Sequence, residues 1–198
     1  MRSAVLFVVM TVILAAALAA AERAEFNKEG ELVLPASYRE WVFLSSGLGM
    51  TYGPNAPAPG AALRFDNVFV NPPAYREFLK TGQWPEGTIL LLEIRASQTK
   101  GSINQHGQFQ TGAVALEAHV KDTRRFPKTK GWAFAGFDEK NGQFAATAKV
   151  IPPGNRCEEC HSQKGAVDAT FVQFYPELIP VEKKHGTWNE ANSAVAGH

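Results

Sequence analysis

The sequence predicts an α+β chain that is rich in β: an antiparallel sheet core with a few short helices packed on it. Three observations carry this reading. Ala113 to Val120 alternates, with Val114, Leu116, Ala118 and Val120 on one face and Ala113, Ala115, Glu117 and His119 on the other. Asn141-Gly142, a strong hairpin signal, separates two β-prone runs. The helical stretches are short; the clearest starts at proline and ends at glycine.

Each element follows from its residues. Ser37 to Trp41 reads as a helical turn after Pro35. Trp41 to Leu44, Asn67 to Val70 and Thr88 to Ala96 are apolar, β-branched or aromatic runs, as strands are. Between the first two, Gly53 to Gly60 carries proline and glycine that sustain neither helix nor ladder, so it is a loop. Pro72 to Thr81 has proline at its start and Gly82 at its end, which marks a helix. Trp132 to Phe137 continues the sheet after Ala113–Val120, and Phe144 to Val150 is expected as the return strand of the Asn-Gly hairpin. Arg156 to His161 and Ala169 to Leu178 read as helical. Residues 181–198 offer few anchors and are expected to be a flexible tail.

The N-terminus bounds the compartment. A short positive start, an apolar run from Ala4 to Leu18 and small residues at Ala19-Ala20-Ala21 have the form of a secretory signal, 1–21. The run is short for a membrane span, and no stable span is expected after cleavage. Residues 22–180 are then one domain of periplasmic character. Removing the signal takes only Arg2, leaving 19 basic against 19 acidic residues. That balance excludes a nucleic-acid-binding charge pattern. Lys121 to Arg125 groups charges of both signs and reads as a solvated face.

The only two cysteines lie in Cys157-Glu158-Glu159-Cys160-His161, the attachment sequence for c-type haem. On a helical turn, residues three apart share a face, so both thiols reach the vinyl groups of one porphyrin, and the next imidazole binds its iron. One covalent haem c is therefore expected, on Cys157 and Cys160, with His161 as metal ligand. A dithiol redox motif would want a βαβ context, structural zinc would want more ligands, and a disulfide across so tight a loop gives little entropic benefit.

The sixth iron position decides what such a haem does. Met50 is the one methionine outside the signal and is the thioether candidate. His106, in a polar loop, and His119, on a strand face with Glu117, rank below an open site; His185 and His198 fall in the expected tail. A bundle of long helices is excluded by the proline-rich loops and the alternating strand. Glu117 sits among small and apolar residues, where a carboxylate is costly unless partnered. It is either an acid that handles protons at the ligand, the candidate catalytic residue, or a surface partner of an arginine.

Several blocks in one order resemble the cytochrome P-460 family and its relative cytochrome c′-beta: Glu31–Val42, Val68–Tyr75 with Lys80-Thr81-Gly82, Leu116–Asp122 with Arg125-Phe126, Gly131–Phe134, Cys157–His161 and Phe171–Leu178. The resemblance implies a β-rich homodimer with one covalent haem per subunit, His161 proximal, and a distal side open to small ligands. Members with a lysine-to-porphyrin crosslink oxidise hydroxylamine; those of the c′-beta type lack it and bind NO and CO beneath an aromatic cap. Here Leu92 stands at the lysine position, where no crosslink can form, and the distal arginine register falls on Asp66 or Arg64. Phe65 and Phe69 are the candidate cap. The resemblance points to an NO-binding c-type cytochrome, with hydroxylamine oxidation and Met50-ligated electron transfer to a partner protein as alternatives.

Overall fold

The computed structural model describes residues 23–52 and 60–192. The expected signal, most of the Gly53–Gly60 loop and His198 lie outside these residues.

Five antiparallel strands form a meander in the order β2 (Val42–Leu48), β3 (Arg64–Val70), β4 (Ile89–Gln98), β5 (Phe109–Lys121) and β6 (Trp132–Phe137). The register sets the two faces, because successive side chains alternate. One cross-strand row is Ser45, Val68, Leu92, Glu117 and Gly136, and the next is Val42, Val70, Leu90, His119 and Phe134. These rows share a face. The other face carries Leu91, Leu116, Ala118, Val120, Ala135 and Phe137, which form one core cluster. The alternation read in Ala113–Val120 is therefore the actual division of the sheet. The central strand β4 is apolar on both faces because both are covered.

Phe65 and Phe69 share the parity of Asn67, so they lie on the face opposite Val68 and Leu92. Phe69 packs in the first core cluster and meets Tyr38 and Phe43 edge-on, with centroids 6.0 and 5.7 Å away. On this face Glu93 is 2 % exposed. It accepts a hydrogen bond from the Tyr38 hydroxyl and bonds from Arg39 (2.5 Å) and Arg95 (2.6 Å). Burial alone would raise its carboxyl, but these donors hold it below the ordinary glutamate range. The cluster pins the Tyr38–Glu40 turn to the sheet.

Helix α1 (Pro72–Thr81) ends at Gly82, whose φ of 67° is the left-handed cap geometry glycine favours. It buries Ala74 and Phe78 against the second core cluster, with Phe78 4.1 Å from Trp84. Helix α2 (Arg156–Lys164) carries both cysteines.

Three expectations are corrected. The return strand Phe144–Val150 is broken: β7 (Glu139–Lys140) and β8 (Gln143–Phe144) make a two-residue hairpin closed by Asn141 and Gly142, both at positive φ. Then β9 (Thr147–Ala148) pairs with β1 (Leu32–Val33) instead. The N-terminal segment takes these backbone partners, as in the bond from Leu34 N to Ala146 O (2.9 Å). Ala169–Leu178 is no continuous helix: Asp168 and Ala169 take positive φ, Val172–Phe174 makes one 3-10 turn, and a separate turn closes from Leu178 N to Tyr175 O (2.9 Å). The tail is packed as far as it is described. Helix α3 (Ile179–His185) crosses the expected boundary, Glu182 is fully buried, and Asn189 N and Asn192 Nδ2 bond to Ala166 O and Gly165 O.

Lys121 also departs from the solvated reading. Its ammonium donates to Asp168 and to the Trp84 carbonyl, both at 2.6 Å.

Candidate functional site

Helix α2 starts where Pro152-Pro153-Gly154 stops the preceding chain. Asn155 caps it by accepting a bond from Glu158 N (3.0 Å), and Glu158 in turn takes one from Gly154 N (2.7 Å). Acidic residues in its first turn and Lys164 in its last suit the helix dipole. The helix puts Cys157, Cys160 and His161 at positions i, i+3 and i+4, on one face. Both thiols are free and half-buried.

His161 is oriented from behind. Its Nδ1 lies 2.9 Å from the Ala169 carbonyl, which can only accept, so Nδ1 carries the proton and Nε2 keeps its lone pair. Burial lowers its pKa and favours the neutral ring. Phe171 (4.2 Å), His119 (4.6 Å) and Phe134 (4.8 Å) wall the imidazole. His119 is 5 % exposed, stacks on Phe134 at 4.2 Å, and touches Trp132 at 4.1 Å. Burial holds its pKa far below the usual value, so it is neutral.

Cys157, Cys160 and His161 face a cavity of about 370 Å³ between α2 and the sheet. The sheet contributes Val68, Leu92 and Glu117, and the chain leaving β2 contributes Met50 and Tyr52. Met50 reaches the wall because Gly47 has no side chain: a Cβ there would stand 2.2 Å from the Met50 sulfur. Glu117 is solvent-accessible and opens into the cavity, opposite Leu92. Partial desolvation by the cavity walls, then the Asp66 charge, raise its pKa, and no arginine pairs with it among the described residues. Burial, then the Glu117 charge, likewise raise the Cys157 thiol.

The structure thus brings together Cys157, Cys160, His161, Glu117, Leu92 and Met50. It does not bring Phe65 or Phe69, which strand parity sends to the other face. His106 lies in an exposed loop away from the cavity. Sequence reasoning missed Tyr52, Phe171, Phe174 and Tyr175 as lining residues. The aromatic density of Phe171–Tyr175 was the available signal.

A paired thiol, an imidazole with its outer nitrogen free and a mostly apolar cavity form a donor set that fits a haem. The class is that of a cytochrome. The family model for Cytochrome P460 matches residues 35–172, and the chain belongs to that family. Membership implies a haem cofactor and small-ligand binding. No curated protein matches the chain. No helix among the described residues is long and apolar enough to cross a membrane.

Proposed function

We propose that this chain is an exported, periplasmic mono-haem c-type cytochrome that binds NO and similar small ligands, closer to the c′-beta type than to the crosslinked enzymes. When bound, the haem supplies an iron whose distal position takes the ligand. Cys157 and Cys160 would hold it through thioethers, and His161 would ligate it through Nε2. The observation that carries the reading is the pairing of His161, locked by Ala169, with Val68 and Leu92 elsewhere on the cavity wall. Neither apolar side chain can ligate iron or form a crosslink. The resemblance further supports a homodimer, and a redox partner protein would belong to the electron-carrier alternative.

Two alternatives each have one supporting observation. Glu117 opens into the same cavity and would accept a proton in hydroxylamine oxidation. Met50 lines it too and would be the sixth ligand of an electron carrier. The test uses protein matured with haem in a periplasm. Haem that stays with the chain on a denaturing gel, and is lost in Cys157→Ser/Cys160→Ser, is expected; haem released from the wild type contradicts the attachment. Hydroxylamine turnover with an artificial acceptor would favour the first alternative. A ferric spectrum altered by Met50→Ala would favour the second.

A further inference from the structure

Two carboxylates face the cavity from neighbouring parts of the sheet. Asp66 on β3 is 7 % exposed, and its Oδ2 accepts a bond from the Tyr52 hydroxyl at 3.2 Å. Glu117 on β5 lies one strand beyond β4, close enough that the two charges act on each other. Desolvation is the larger influence on both and raises both, through burial at Asp66 and through partial shielding by the cavity walls at Glu117. The charged and titratable groups around the pair are few. Arg64, an exposed residue of β3, acts on Asp66; Arg156, Cys157, Cys160 and His161 face the cavity from α2; His119 lines it from β5 and Tyr175 from the segment after α2. Among the described residues no basic side chain forms an ion pair with Glu117, and Arg156 is the one cation on the cavity wall. Val68 and Leu92 line the same sheet wall beside the two carboxylates.

We propose that the Asp66–Glu117 pair makes this cavity a charge filter, which admits neutral and proton-accepting nitrogen ligands such as NO and hydroxylamine and rejects small anions such as azide. The inference rests on the haem-binding reading above. An anion entering beside two carboxylates meets a repulsion that a neutral ligand does not. Removing either charge while keeping shape should relieve on the order of tenfold in anion affinity.

The test is made on the haem-loaded full chain at neutral pH. Azide binding to the ferric form and NO binding to the ferrous form are titrated by absorption on the same preparations. Asp66→Asn and Glu117→Gln are each expected to raise the ratio of azide to NO affinity about tenfold, and Glu117→Asp, which keeps the charge, to leave the ratio near wild type. A ratio unchanged in both neutral variants, or raised equally by Glu117→Asp, overturns the filter. A wild type that ignores NO while the variants gain azide affinity supports the filter and overturns the NO-binding reading alone.

Discussion

Glu182 is fully buried, and neither carboxylate oxygen has a hydrogen-bond partner among the described residues. Burial raises its pKa to about 8, from an ordinary 4.5. As pH rises, the unfolded chain therefore gives up this proton before the folded chain does. Stability should fall across that window and level off on either side. Glu182→Met keeps length and removes the titration. It is predicted to be more stable than wild type at pH 7 by about 2–3 kcal/mol, with no fall between pH 5 and 8 in urea unfolding. His119 is the contrasting case. Its buried nitrogens also lack partners, but two aromatic rings cover it and keep it neutral beside His161. A sequence shows that a histidine is near a carboxylate on a strand; it does not show that the ring packs against the imidazole of a helix some forty residues later.

At the scale of elements, α2 depends on how it ends. Gly165 has ordinary φ, so its need for glycine is steric. A Cβ there would stand 2.7 Å from His161 O and Thr170 N and 2.8 Å from the carbonyl carbon of Ala169, all backbone atoms. Gly165→Ala must therefore push apart the segment that orients His161. The expected cost is about 1–3 kcal/mol, read as a drop of several degrees in Tm with less haem retained at equal protein. The main strands were legible because alternation and β-branched runs report burial on one face or two. The helices at 72–81 and 156–164 were legible from their caps and spacing. Phe144–Val150 was misread because its middle, Ala146–Ala148, takes its backbone partners from Leu32–Leu34, over a hundred residues away, and local pattern carries no such information. Ala169–Leu178 was misread because Asp168 and Ala169 take positive φ, which breaks a helix at its start and leaves no trace in the spacing of apolar residues.

For the whole molecule, the sheet and α2 enclose one cavity in which residues from distant parts of the chain converge: Met50 and Tyr52, Asp66, Leu92, Glu117, and Cys157 to His161. Much of this constellation could be read from sequence, because the attachment spacing and the strand parity of Leu92 and Glu117 are local facts. The choice between Phe65 or Phe69 and Val68 was not, since it turns on which face of β3 meets the helix. The central claim is that His161 binds the haem on one side and no strong protein donor binds it on the other. An absorption spectrum of the haem-loaded protein, ferrous, before and after NO, tests this most directly. A broad high-spin spectrum that changes on adding NO is predicted. A sharp low-spin spectrum indifferent to NO would contradict the claim and make Met50 the first residue to replace.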